Sequence, residues 1–208
     1  MTSRIARTQA ELVARFLVAV LLGLPGFAAE AQQALPANGL FLIAKPSLTD
    51  PNFERTVVLV TQTEDASTVG VIINRPSTLK LSEMLSPEIP TQNYHGPVFF
   101  GGPVMRQVII AVYRSDTVPA APAFHVLKDV YMTMHPDNLQ KLLADPAARY
   151  RLYAGFSGWA PHQLETEFTR DGWYIVPADE PTLFRDSTEG LWEELVERAM
   201  RRGPQARN

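Results

Sequence analysis

Two uninterrupted apolar runs constrain this chain more than any other feature. Thr56-Val-Val-Leu-Val-Thr61 and Val69-Gly-Val-Ile-Ile-Asn74 are rich in β-branched residues and flank a polar segment, residues 63–68. Runs of this length without polar interruption fit buried strands, and a polar turn between them predicts a hairpin, closed by Pro76. Other strand signals follow the same logic. Gly39 opens Leu40–Ala44, which Lys45-Pro46-Ser47 ends, with turn chemistry at Asp50-Pro51-Asn52. Val98-Phe99-Phe100 runs into Gly101-Gly102-Pro103, and Gln107–Tyr113 is another apolar run. Phe124–Leu127 and Val130–Met132 flank Lys128-Asp129 as a second hairpin. Tyr150–Ala154 is expected to end at Gly155, and Trp173–Val176 at Pro177.

Helical signals are fewer. A short helix is expected within Ser82–Ile89. Pro136 suits a first turn with Asp137 at the positive dipole end, so residues 136–143 are helical, with Leu139, Leu142 and Leu143 as the apolar stripe. Residues 161–169 place Leu164 and Phe168 on one face. The strongest helix runs from about Thr188 to Met200: Asp186 and Glu189 have capping-box spacing, and Leu191, Trp192, Leu195, Val196 and Ala199 form one stripe. Strands outnumber helices and several are joined by short turns. The expected fold class is therefore α+β, a mainly antiparallel or barrel-like sheet with flanking helices, in a single domain over residues 39–203.

Composition narrows the chemistry. With 46% apolar residues and a net charge of −3 over 208 residues, the chain can bury a core and is not a disordered polymer. It has no cysteine, which excludes disulfides, thiol catalysis and thiolate zinc sites. The acidic balance and the lack of a recognisable helix-turn-helix disfavour direct nucleic-acid binding.

The amino-terminal residues read as a separate object. Arg4, Arg7 and Arg15 precede the apolar run Phe16–Leu24, and Ala29-Glu30-Ala31 fits the small-x-small rule of signal peptidase. Residues 1–31 are thus expected to be a secretory leader cleaved between Ala31 and Gln32, with 32–38 as a linker. The apolar run falls short of a membrane span, so none is expected after cleavage. The expected location is periplasmic or secreted, or cytoplasmic if translation starts further downstream.

Several blocks, in order, resemble the YqgE/AlgH family. They are Phe41-Leu-Ile-Ala-Lys-Pro-Ser-Leu48 with Asp50-Pro51 and Phe53, Gly70-Val-Ile-Ile-Asn-Arg-Pro76, and Phe99-Phe-Gly-Gly-Pro-Val104. Tyr153-Ala-Gly-Phe-Ser-Gly-Trp159 follows with Gln163-Leu164-Glu165 and Glu167, then Trp173 and Val176–Asp179. The resemblance implies a bacterial α+β body of antiparallel strands. It also carries a regulatory link to alginate synthesis or transcription through a partner, and it assigns no chemistry. Members of that family typically begin close to the first strand, so the leader is a departure.

Gly155-Phe-Ser-Gly158 approaches a nucleophile elbow at Ser157, but Trp159 occupies the position of the second glycine, so a turn is preferred. His95, His125, His135 and His162 share no ligand spacing, so no metal or other cofactor is expected. Glu165 and Glu167, two apart on a helix, point in different directions and form no dyad. Glu165 or His162 activating water is the hydrolase alternative. The preferred reading is a non-enzymatic domain that binds a small molecule or a protein at strand ends. Its candidate contacts are Asn74, Arg75, Gly101, Gly102, Gly155, Trp159, Gln163 and Glu165.

Overall fold

The structure is a computed structural model that describes residues 39–169 and 171–201. The expected leader and linker lie outside the described residues. The strands are β1 (Leu40–Ala44), β2 (Val57–Gln62), β3 (Thr68–Ile72), β4 (Phe99–Phe100), β5 (Val104–Arg114), β6 (Phe124–Leu127), β7 (Val130–Thr133), β8 (Tyr150–Trp159) and β9 (Trp173–Pro177). The helices are α1 (Leu81–Met84), α2 (Pro136–Ala144), α3 (Gln163–Thr169), α4 (Glu180–Leu183) and α5 (Leu191–Arg201). The fold class is the expected α+β: one open sheet in the order β6-β7-β5-β8-β3-β2-β1-β9, antiparallel throughout, with β4 alone running parallel to β8.

β8 belongs to two half-sheets. Its first half pairs with β5, Tyr150 opposite Tyr113 and Ala154 opposite Ile109. Its second half pairs with β3, Ser157 opposite Gly70 and Trp159 opposite Thr68. Between them β4 and Gly101 wedge the sheet apart. Gly101 N–H donates to Ala154 O at 2.9 Å, and its carbonyl accepts from Ile72 N at 2.8 Å. Gly155 sits at the switch with φ +72°. A Cβ on Gly101 would lie 2.2 Å from Gly155 O, and one on Gly155 would lie 2.7 Å from Gly102 O. Only glycine permits that approach of backbone to backbone.

The strands bury both faces, which explains their unbroken apolar runs. Phe41, Ile43, Val57, Leu59, Ile110, Val112 and Tyr153 enter one core with α5. Alternate residues Leu42, Ala44, Val58 and Val60 pack with Trp159, Leu164 and Trp173 on the other face. Ile109, Ala111, Leu152 and Ala154 pack against Leu139, Leu142 and Leu143 of α2. The α5 stripe is as expected, and Trp192 Nε1 anchors it by donating to Ala44 O at 2.7 Å.

The structure corrects the sequence reading in five places, the first being β5, which begins at Val104 and not at Gln107. β8 does not end at Gly155 but runs on to Trp159, so residues 155–158 are strand and not a turn, and the irregular stretch lies opposite, in β5 between Val104 and Ile109. α1 stops at Met84, where Leu85 turns extended. α5 starts at Leu191 after Gly190 at φ +68°, too late for the Asp186/Glu189 box; Glu189 N instead meets Ser187 Oγ at 3.1 Å. α4, absent from the sequence reading, is capped by Asp179, whose Oδ1 accepts from Thr182 N at 2.9 Å.

The glycine wedge makes a specific prediction. Gly101→Ala forces backbone against backbone and lowers stability by about 2–4 kcal/mol in urea unfolding. Gly158→Ala, whose Cβ would meet only the Phe156 ring at 3.4 Å, is close to neutral. Equal effects of the two substitutions would contradict the wedge.

Candidate functional site

The structure brings most of the sequence candidates to one corner. Arg75 turns back over the loop before β2: Nη1 donates to Asn52 O at 2.7 Å and Nη2 to Glu54 O at 2.8 Å. Burial holds its pKa below the usual guanidinium value, opposed by Glu54 and Asp50. Asn74 Oδ1 accepts from Val57 N at 2.8 Å, and its Nδ2 donates to Arg55 O at 3.0 Å. The loop that Arg75 caps carries Phe53, which stacks on Trp159 at 5.8 Å and meets Trp173 edge-on at 5.5 Å.

Glu167 ties this corner together. Its Oε2 accepts from Trp159 Nε1 at 3.0 Å and Trp173 Nε1 at 3.4 Å, and its Oε1 accepts from Gln163 Nε2 at 3.3 Å. Gln163 Oε1 in turn accepts from Ala160 N at 3.1 Å. Gln163 and Glu167 are one helical turn apart on α3, the single local signal for this clamp. Glu165 lies on the same helix. Arg75, Asn74, Trp159 and Gln163 thus direct their hydrogen bonds into the protein, and Gly101, Gly102 and Gly155 spend their space on close backbone packing. Their arrangement stiffens the corner.

The other candidates are dispersed. Ser157 is fully buried in β8, with its Oγ 3.4 Å from Gly101 O, where no substrate reaches it. His162 is exposed at φ +65°, and its carbonyl accepts from Thr166 Oγ1 at 3.0 Å. His135 caps α2 by accepting from Asp137 N at 3.3 Å. His125 stacks on Tyr131 at 4.9 Å. Among the described residues, no group of three histidine or acidic side chains gathers around one point.

A second feature lies on the other flank of β4. An open cleft of about 390 Å³ is lined by the loop from Asn93 to Pro97, Phe99 of β4, Asp145 to Arg151, and Phe184 to Asp186. Its size lies in the range of small-molecule sites. The start of β8 supplies Tyr150 and Arg151, with Tyr153 just behind. Tyr94 stacks on Tyr150 at 5.5 Å, while its hydroxyl donates to Pro97 O at 2.7 Å and accepts from Leu152 N at 3.3 Å. The Arg151 guanidinium lies over the Phe99 ring at 5.2 Å and donates through Nη2 to Arg185 O. Arg151 Nη1 and the hydroxyls of Tyr150 and Tyr153 are buried without a hydrogen-bond partner. No sequence pattern announces this cleft, because its walls come from three distant loops and two strands.

With this geometry in place, comparison with known proteins is decisive at the level of family. The AlgH-like family model (DUF179) matches residues 41–202. This chain belongs to the AlgH-like family. An AlgH-like relative, a UPF0301 protein of Streptomyces avermitilis, is 32% identical over 165 residues, covering 77% of this chain and 86% of its own length. Another, from Ruegeria pomeroyi, is 34% identical over 164 residues, covering 76% and 89%. The solution structure of AlgH from Pseudomonas aeruginosa superposes with a TM-score of 0.63 at 28% identity, covering 86% of this chain and 94% of that one. The crystal structure of DIP2367 from Corynebacterium diphtheriae superposes at 0.61 with 25% identity, covering 82% and 89%. The expected family and fold class are both met. Among the described residues, no helix is long and apolar enough to cross a membrane.

The cleft tyrosines predict an alkaline transition. Burial pushes the Tyr94 hydroxyl up to about 12, and raises Tyr150 and Tyr153 in the same direction. Groups raised on folding contribute stability that is fully present below the unfolded value of about 10 and lost as the pH climbs above it. Ultraviolet titration should therefore show these tyrosines ionising together with loss of the fold. Ionisation of all tyrosines near pH 10 in intact protein would contradict their burial.

Proposed function

We propose that this AlgH-like chain is an exported, non-enzymatic binding domain that takes a small ligand in the cleft beside the start of β8. One observation carries the reading: Arg151 Nη1 and the Tyr150 hydroxyl at the cleft are buried without partners. Buried donors of this kind cost about 1–3 kcal/mol each, and native proteins rarely leave them idle. Two of its wall residues, Phe99 and Arg151, sit on the paired strands β4 and β8 beside the glycine wedge. Small-ligand sites combine such a pre-formed apolar wall with a few aimed polar groups. The corner around Trp159 supports the cleft as scaffold, its polar groups being satisfied internally.

Export rests on the basic, apolar and small-residue order of the first 31 residues. Fractionation with amino-terminal sequencing should find a mature chain beginning at Gln32 outside the cytoplasm. An intact leader on cytoplasmic protein contradicts export. For the binding reading, a chemically mixed fragment library is screened by thermal shift against the chain and against Ala148→Phe, which fills the cleft from its wall. Fragments that stabilise the chain and lose their effect in Ala148→Phe are expected. A library with no such fragment contradicts the reading.

A further inference from the structure

The binding reading leaves the ligand's chemistry open, and the cleft carries that step further. Three arginines line it, and two already have acidic partners. Arg149 pairs with Glu180 at 3.3 Å, and Arg185 with Glu194 at 2.7 Å. Arg151 has no carboxylate partner among the described residues. Its one hydrogen bond to protein, from Nη2, ends on the Arg185 carbonyl, leaving Nη1 covered and idle. The guanidinium lies beside the Tyr153 hydroxyl, where its charge and near hydrogen-bonding contact oppose the burial that raises that group, without reaching full hydrogen-bond geometry. The Tyr150 hydroxyl is likewise idle. Asp145 and Asp186 also line the cleft, but neither is paired with Arg151.

We propose that the cleft receives a small organic oxyanion, a carboxylate or phosphate on an aromatic or apolar body, whose charged end meets Arg151 and the Tyr150 hydroxyl. An arginine offers a planar fork of donors that matches two oxygens at once, and a tyrosine hydroxyl adds a third. A neutral amide offers one carbonyl acceptor in place of two charged oxygens, and its N–H donors find no acceptor at a site of donors, so it pairs less completely. The body of the ligand lies along Tyr94, Phe99 and Phe184, which supply the apolar wall. The cleft volume of about 390 Å³ admits one substituted ring.

This inference rests on the binding reading, and calorimetric titration separates the two. The probes are benzoate, phenyl phosphate, inorganic phosphate and the neutral benzamide. Benzoate or phenyl phosphate is expected to bind about tenfold or more tightly than benzamide, and the stronger of the two identifies the oxyanion. Inorganic phosphate alone is expected to bind more weakly than phenyl phosphate, because it leaves the apolar wall bare. Arg151→Gln should erase the preference over benzamide. Tyr150→Phe provides a check that folding cannot confound. Its hydroxyl has no partner to lose, so the melting temperature holds while oxyanion affinity falls several-fold. Equal binding of benzoate and benzamide, both lost in Ala148→Phe, overturns the oxyanion while leaving the binding reading intact. An oxyanion preference that survives both Arg151→Gln and Tyr150→Phe also overturns it. Failure of every probe, with Ala148→Phe-sensitive library fragments that are all neutral or cationic, does the same.

Discussion

The close approach of backbone to backbone at Gly101, Gly102 and Gly155 is the constraint on which the sheet depends. A side chain at any of these positions would meet main-chain atoms closer than 3 Å. With hydrogen there instead, β4 can wedge beside β8 while Gly101 bridges β3 and β8 through two short hydrogen bonds. β8 can then leave one half-sheet and join the next without breaking. A fourth glycine acts at the sheet ends: Gly39 donates to Val126 O at 2.8 Å on β6, and its carbonyl accepts from Ala178 N at 3.2 Å just beyond β9. One residue therefore links both ends of the strand order, and its Cβ would strike Val126 O at 2.5 Å.

The same wedge sets the two faces beside it. On one side, Phe100 joins Phe53, Trp159 and Trp173 in a core whose polar edges are closed by Arg75 and Glu167. On the other side, Phe99 turns its ring toward Arg151 and Tyr153 and forms a cleft wall. Neighbouring residues of a strand face opposite ways, so one short segment serves a closed corner and an open cleft. The contrast between the faces is chemical. At the corner, Glu167 accepts from two indoles and an amide. At the cleft, an Arg151 nitrogen and the Tyr150 hydroxyl have no acceptor, and behind it neither has the Tyr153 hydroxyl.

Much of the scaffold was legible because burial on two faces leaves unbroken apolar runs, as in Val57–Val60 and Ile109–Val112. α5 was legible from its stripe, and the Val130 hairpin from its polar turn. Gly155 misled because a glycine at positive φ serves a bulge as well as a turn, and only the partners of Ser157 and Trp159 decide between them. β5 begins at Val104, earlier than its apolar run, because Val104 pairs with Phe156 across an irregular stretch containing Met105 at φ +47°. The Trp159 corner could be read as a cluster, since its blocks recur in the family pattern. Its internal saturation could not, because Glu167's role depends on where Trp173 returns. The cleft was out of reach: Asn93, Asp145 and Arg185 meet only through the fold.

Hydrogen exchange read by mass spectrometry, with and without saturating benzoate, decides most directly which face binds. If the cleft is the site, protection rises in peptides covering Asn93–Pro97 and Arg149–Leu152, and the peptides covering Asn52–Arg55 and α3 stay unchanged. Protection rising instead around Asn74, Trp159 and Gln163, with the cleft peptides unmoved, would contradict this account.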